Sequence, residues 1–303
     1  MTIGSRELIG RVTFVTGPDK GSGKTALMNY SLGLLRRAGE APAYLGVGLD
    51  GDCASLGGAS TIPCMPGELF LSAERYLRAS GCECEIMAVL PGSGALGRLA
   101  IARSRRPGLA VLVGPERNEL VAAAIGIMRG ELGYRTVLVD GSMNRITQVS
   151  SLSGARFYFA MSVGPRELES RIRSMRRLAF LSGLKGLGDA ARIDPDSAAS
   201  AAGLPLPASY EPGPLTGLSL SRRRERGGTI LVDDFTKVFL GWEELRSLVR
   251  TGSLAVVHGL DFGGFVLRLR DISRAAFSAA LADPAIEALI AYNPYEASFD
   301  GGS

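Results

Sequence analysis

The sequence is poor in the residues on which several kinds of functional site depend. Its 303 residues include one histidine, one tryptophan and four cysteines, and only four of its 34 basic residues are lysines. A single histidine, His258, excludes histidine-rich metal sites and most acid–base schemes that use imidazole, so we expect a structural role for it at a strand end. The cysteines form no paired Cys-x-x-Cys arrangement, which favours reduced, partly buried thiols over a disulfide framework.

Two further absences bear on location and partners. No uninterrupted apolar stretch is long enough to span a bilayer, and the N-terminus lacks a charged region followed by an apolar signal core. We therefore expect a cytoplasmic protein without a membrane partner. The net charge of +4 comes without a basic stripe, because Glu225 interrupts the densest arginine run, so we expect no nucleic-acid partner. The sequence leaves the oligomeric state open, a homo-oligomer included.

The strongest motif is a glycine-rich turn between a predicted strand and a predicted helix. The apolar run 12–16 enters the turn, and a helix-prone stretch beginning at Lys24 leaves it, which is the context of a phosphate-binding loop. Because glycine lacks a Cβ atom, the backbone at Gly17, Gly21 and Gly23 can point its N–H groups at phosphate oxygens from close range. The sequence therefore predicts a nucleotide site here, with a ligand-free glycine-rich turn as the alternative.

The residues of the loop have separate predicted roles. Lys24 is placed to reach the β- and γ-phosphates as a point charge, and we expect it to be catalytic, while the Thr25 hydroxyl can ligate Mg²⁺. We expect ATP and Mg²⁺ as cofactors, although no base-recognition motif separates ATP from GTP. Asn293-Pro294 follows a late predicted strand, where it could contact the nucleotide base or form a turn. The predicted cofactor contacts are Gly17, Asp19, Lys20, Gly21, Ser22, Gly23, Lys24, Thr25 and Ala26.

Aspartates at the ends of predicted strands are candidates for the metal site. Because the carboxyl ends of parallel strands meet at one sheet edge, Asp140 is expected to hold the Mg²⁺ shell opposite Thr25. Asp50 is a second predicted catalytic and metal-site residue, which would hold a metal-bound water or orient the attacking one. Asp-Gly is also a common turn pair, so a turn role for Asp50 stays open. Asp233 and Asp234 also follow a predicted strand, later in the chain, and are weaker candidates for the metal site than Asp140.

The order of predicted elements indicates an α/β fold. Alternating strands and helices over 1–182, among them a helix over 68–79, predict a nucleotide-binding domain with a mostly parallel, doubly wound sheet of the P-loop NTPase type. Residues 183–228, rich in glycine, proline and alanine, are expected to connect it to a smaller domain. The order βαββαβ over 229–303, ending in a strand over 285–291, predicts a small C-terminal α+β domain, although its strands could instead join the first sheet.

The chain resembles two known families. The spacing Gly17-x-Asp19-x-Gly21-x-Gly23-Lys24-Thr25 resembles the loop of dethiobiotin synthetase and its relatives, which are ATPases and ATP-dependent synthetases with a loop one residue longer. A set of short motifs from the loop to the C-terminal end resembles the P-loop subunit of the lysine 5,6-aminomutase reactivating factor. These motifs are Leu96-Gly97-Arg98, Ile101-Ala102-Arg103, Pro107-Gly108, Gly114-Pro115, Val139-Asp140-Gly141, Asn144-Arg145 and Asn293-Pro294.

The second resemblance implies a helper protein. Such a protein uses ATP and Mg²⁺, together with a second reactivase subunit, to restore a cobalamin-dependent aminomutase whose cobalamin has been inactivated. Lys24 and Thr25 would hold the nucleotide and metal, with Asp140 supporting the metal and Asp50 the water. The loop of the first family allows an alternative, an ATP-dependent synthetase or kinase acting on a small molecule, in which Lys20, Asp50 and Arg145 are candidates to position the substrate.

Overall fold

The computed structural model describes residues 1, 3–19, 21–47, 60–79, 81–91, 97–115, 117–141, 154–221 and 227–295. The chain divides into two compact units. The first comprises Met1–Leu168 and Gly263–Ser303, and the second comprises Glu169–Phe262. Within the described ranges, no helix combines the length and the apolar character needed to cross a membrane.

Among the described residues, helices separate groups of one to three strands. The strands are β1 (Val12–Thr16), β2 (Ala43–Gly46), β3 (Ser60–Cys64), β4 (Leu69–Ala73), β5 (Cys84–Val89), β6 (Leu99–Ser104), β7 (Gly108–Leu112), β8 (Val137–Asp140), β9 (Arg156–Val163), β10 (Ala208–Glu211), β11 (Leu215–Thr216), β12 (Thr229–Val232), β13 (Val238–Phe239), β14 (Leu254–Val256), β15 (Asp261–Leu269) and β16 (Ile290–Tyr292). The helices are α1 (Lys24–Arg37), α2 (Glu74–Ala79), α3 (Asn118–Gly126), α4 (Leu168–Ser182), α5 (Pro195–Ala201), α6 (Gly217–Ser221), α7 (Trp242–Arg250), α8 (Arg274–Leu281) and α9 (Pro284–Glu287).

A nine-stranded sheet forms the centre of the first unit, in the order β16-β15-β9-β1-β8-β2-β4-β6-β5. Within the run β9-β1-β8-β2-β4 each strand is parallel to the next, and β15 is parallel to β16. Strand β6 is antiparallel to both β4 and β5. The predicted α/β fold with a large, mostly parallel sheet is therefore confirmed.

The apolar pattern of β1 and α1 explains why the turn between them lies where it does. Every residue of β1 is buried, as expected for a parallel strand covered on both faces. Leu27, Leu32 and Leu35 form the buried side of α1 and share one core cluster with Val15 of β1 and Leu138 of β8. This packing fixes the start of α1 near the carboxyl end of β1.

The second unit has its own small parallel sheet. Strands β10, β12 and β14 lie side by side in parallel, and β11 pairs in parallel with β13. Its core cluster contains Ala191, Leu231, Ala255 and Val257. The sequence predicts a connection over 183–228. Much of this stretch instead forms α5, α6, β10 and β11 of the second unit.

Several element predictions are wrong. The order βαββαβ predicted over 229–303 is found in outline, but its strands do not form one small domain: β12 and β14 pair beside β10, whereas β15 and β16 belong to the nine-stranded sheet. The joining of late strands to the first sheet was the alternative that the sequence left open. The strand predicted over 285–291 starts instead as α9, which Asp283 caps by accepting a hydrogen bond from Ile286 N at 3.1 Å. The helix predicted over 68–79 is strand β4 followed by α2.

Candidate functional site

The glycine-rich turn lies between β1 and α1, as the sequence predicts. Gly17, the first residue after β1, is buried, and a Cβ atom there would lie 2.5 Å from the carbonyl oxygen of Ala160 and against the hydroxyl of Ser22. Only glycine fits at this point. Gly21 and Gly23 have φ angles of +83° and +101°, in the left-handed region that favours glycine. At these three positions no Cβ atom covers the backbone of the turn.

Lys24 folds back over this turn. It is the first residue of α1 and is half-buried. Its Nζ donates a hydrogen bond to the carbonyl oxygen of Asp19 at 2.8 Å and lies 3.5 Å from Ser22 Oγ. Gly23 has no side chain to cap the helix, and the first turn of α1 carries no acidic residue. The positive end of α1 therefore reaches the turn without a carboxylate of its own helix to neutralise it.

Asp140 lies at the predicted place, at the carboxyl end of β8. It is buried and pairs in register with Val15 of β1 on one side and with Gly46 of β2 on the other. Three parallel strands therefore end together beside the glycine-rich turn, which is the edge where open α/β sheets bind ligands. Thr25 and Ala26 are exposed in the first turn of α1, which follows the same end of β1.

A second close approach of backbone occurs at this edge. A Cβ atom on Gly114 would overlap the carbonyl group of Gly46 and would lie 2.9 Å from Val47 N. The segment after β7 thus lies directly against the end of β2. Sequence reasoning assigned no function to Gly114; the only signal was its place in the Gly-Pro pair of the motifs that resemble the reactivating factor.

The chain after β16 also reaches the turn. Asn293 has a φ of +39°, and its Oδ1 accepts a hydrogen bond from Leu269 N at 3.0 Å. The bend of the chain at Asn293 brings Tyr295 to α1, where the Tyr295 hydroxyl lies 3.8 Å from the position of a Cβ atom on Gly23. Asn293 therefore has the turn role that the sequence left open, and Tyr295 is a neighbour of the loop that sequence reasoning missed.

Some predicted site residues are not brought together. Lys20, Asp50 and Arg145 lie outside the described residues. Asp233 and Asp234, the lower-ranked metal candidates, belong to the second unit. Among the residues whose placement is known, no group of three or more histidine, cysteine, aspartate or glutamate side chains could hold a metal ion.

His258 belongs to a polar cluster in the second unit. Its Nε2 lies 3.0 Å from Arg192 Nη2 and 3.3 Å from a carboxylate oxygen of Asp189. Arg192 also donates from Nε to Asp233 at 2.9 Å, and the Tyr210 hydroxyl donates to the same oxygen at 2.7 Å. Partial burial raises the pKa of Asp233, but these hydrogen bonds lower it by more, so the pKa lies below the ordinary aspartate value. The cluster joins the ends of β10, β12 and β14.

The chain was compared with models of protein families, with curated proteins and with solved structures. None of them matches it. The proposed function therefore rests on the glycine-rich turn, the residues around it and the sequence motifs.

Proposed function

We propose that the protein is a Mg²⁺-dependent ATPase of the P-loop NTPase class, with the doubly wound sheet of that class. The observation that carries the proposal is the position of Lys24 over the glycine-rich turn. Its ammonium group is held by oxygen atoms of Asp19 and Ser22, which phosphate oxygens can replace with stronger, charge-assisted hydrogen bonds. The uncapped start of α1 adds positive potential at the same place.

The residues at the sheet edge fit a magnesium ion bound together with the nucleotide. Mg²⁺ is usually held by one or two protein oxygens, with phosphates and water completing its octahedral shell. The exposed Thr25 hydroxyl and the Asp140 carboxylate are the proposed ligands. The ion would neutralise charge on the transferred phosphoryl group. Asp50 is proposed to orient the attacking water.

The proposed biological role is that of a helper protein. The short motifs that resemble the reactivating factor of lysine 5,6-aminomutase are the support for a function in restoring a cobalamin-dependent aminomutase, with a second reactivase subunit as partner. In this role the loop is a two-state element: the γ-phosphate and Mg²⁺ favour one arrangement, and hydrolysis releases it and changes the affinity for the client.

The nucleotide part of the proposal is tested with Lys24→Ala. We expect isothermal titration calorimetry to give a Mg-ATP affinity at least about tenfold weaker, because a hydrogen bond to a charged group contributes about 1.5–3 kcal/mol. Lys185→Ala is the matched control, since this exposed lysine donates to the carbonyl oxygen of Ala202 in the second unit. Full Mg-ATP affinity in the Lys24→Ala variant would refute the proposal.

The helper role is tested on immobilised protein with extract of the native host. We expect a cobalamin enzyme to be retained in a way that depends on Mg-ATP and is abolished by Lys24→Ala. Retention that is the same with and without nucleotide, or no retention of a cobalamin enzyme, would contradict the helper role. Those results would leave the nucleotide site itself standing.

A further inference from the structure

A groove runs along the outer side of α1 from the glycine-rich turn. It has a volume of about 310 Å³ and is lined by Ala26, Asn29, Tyr30, Gly33, Arg37 and Tyr295. The helical members stand at positions 26, 29 and 30, 33 and 37, one turn of the helix after another, so they follow one side of the helix. Gly33 leaves space in the middle of this stripe because it has no side chain. A volume near 300 Å³ is at the lower end of the range for small-molecule sites.

Two aromatic rings line the groove together. The rings of Tyr30 and Tyr295 are 5.8 Å apart and nearly perpendicular, at 82°. Tyr295 is held there by the turn at Asn293, whose side chain and backbone bond to β15 through Leu269 N and Leu267 O. The ring pair is therefore positioned by the main sheet and by α1.

The groove adjoins the phosphate loop at Ala26 and at the Tyr295 hydroxyl. Ala26, which lines the groove, follows Thr25 directly in the first turn of α1. The Tyr295 hydroxyl is close to Gly23, at the cap of the same helix. A ligand with phosphates in the turn would therefore have the rest of its structure directed along this groove.

We propose that this groove binds the nucleoside part of the nucleotide, with the base packed against the Tyr30 and Tyr295 rings. The inference rests on the proposed function, because the phosphates locate the ligand. Aromatic side chains stack on nucleic-acid bases irrespective of sequence, and each such contact contributes about 1–3 kcal/mol.

The polar groups of the groove suit a base. The Asn29 amide supplies both donors and an acceptor, which match the edge of a base. The Arg37 guanidinium, which lies beyond Tyr30 along α1, can lie flat on a base. Burial raises the pKa of the Tyr295 hydroxyl, and the nearby charge of Arg268 offsets only part of this rise. The hydroxyl is therefore neutral at pH 7 and adds no negative charge beside the phosphates.

The test separates the nucleoside from the phosphates. Dissociation constants for Mg-ATP and for Mg-tripolyphosphate, which has no nucleoside, are measured by isothermal titration calorimetry on the whole protein. The unmodified protein is expected to bind ATP about 5- to 150-fold more tightly than tripolyphosphate, the factor that corresponds to one stacked base. Tyr30→Leu is expected to remove most of this difference by weakening ATP binding, with tripolyphosphate affinity unchanged.

The matched control is Tyr292→Leu. Tyr292 is another half-buried tyrosine of the same chain end, but its ring packs on Phe277 and Arg274 and does not line the groove. This variant should keep the ATP preference. Arg37→Gln, at an exposed position, provides a second groove variant that leaves the core untouched, and it is expected to weaken ATP binding alone.

The outcomes distinguish the two proposals. If the unmodified protein binds neither ligand, the proposed phosphate site is refuted. If it binds both with equal affinity, or if Tyr30→Leu and Arg37→Gln leave the ATP preference intact, the phosphate site stands and the nucleoside groove is refuted.

Discussion

At the scale of single residues, Gly17 is the position of the candidate site with the least space. A methyl group there would meet the backbone of Ala160 as well as Ser22, and backbone cannot move as a flexible side chain can. We expect Gly17→Ala to destabilise the first unit by about 1–3 kcal/mol, as overpacked cores do, and to abolish Mg-ATP binding. Chemical denaturation and calorimetry measure the two effects.

Gly126→Ala is the control for that substitution. Gly126 is in α3, and a Cβ atom there would meet nothing within 4 Å. Alanine should raise the free energy of unfolding by about 0.5–1 kcal/mol through its higher helix propensity. If Gly17→Ala behaved like Gly126→Ala, the close approach of Gly17 to Ala160 would be disproved.

Glu68 is a second position where one side chain holds several groups together. It is buried and accepts hydrogen bonds from Arg36 Nε at 2.6 Å and Nη2 at 2.9 Å, from the Tyr44 hydroxyl at 3.2 Å and from Met65 N at 3.0 Å. The hydrogen bonds with Glu68 raise the pKa of Arg36. The carboxylate therefore connects the last turn of α1 to the segment before β4.

We expect Glu68→Gln to lower the free energy of unfolding by about 3–5 kcal/mol, because it leaves the Arg36 charge partly buried without its counter-charge. Glu83→Gln is the comparison. Glu83 pairs with Arg106 at 3.0 Å, but both side chains are more than half exposed, and exposed pairs contribute about 0–1 kcal/mol. Equal losses in the two variants, measured by urea denaturation, would contradict the role given to Glu68.

At the scale of elements, the ends of β10 and β12 are joined through Asp233. Its lowered pKa means that folding favours the ionised carboxylate, so this contribution to stability is complete above the ordinary aspartate pKa of about 3.9. It is lost as the pH falls through the lower pKa of the folded state. We expect Asp233→Asn to be less stable than the unmodified protein at pH 7, with the difference shrinking toward pH 3. Unfolding followed by Trp242 fluorescence measures it, and a constant difference over this range would contradict the prediction.

At the scale of the whole molecule, the proposed nucleotide contacts all belong to the first unit, while the only tryptophan, Trp242, belongs to the second. Mg-ATP at one hundred times its dissociation constant should stabilise the first unit by about 2.7 kcal/mol. For a unit of this size the thermal midpoint should rise by about 5–10 °C. We expect this rise in the far-ultraviolet circular dichroism transition, with a smaller change in Trp242 fluorescence. A rise seen only in Trp242 fluorescence would place the nucleotide in the second unit and contradict the prediction.

Within this molecule, local sequence determined the elements around the candidate site. The apolar run of β1, the glycines of the turn, the start of α1 at Lys24 and the strand end at Asp140 were all predicted, because each depends on neighbours a few residues away. A short apolar run does not distinguish a fully buried strand from a segment of buried helix. The strand β4, which pairs with both β2 and β6, was predicted as helix for that reason.

Tertiary structure alone decided which distant segments meet. The sequence carries no local signal that β15 and β16 complete the first sheet, that Gly114 presses on Gly46, or that Tyr295 reaches Gly23. These contacts join residues far apart along the chain, and they form because buried backbone and apolar surface must find partners wherever the fold provides them. The glycine-rich turn was therefore predictable from the sequence, whereas the groove beside it is formed only in the folded chain.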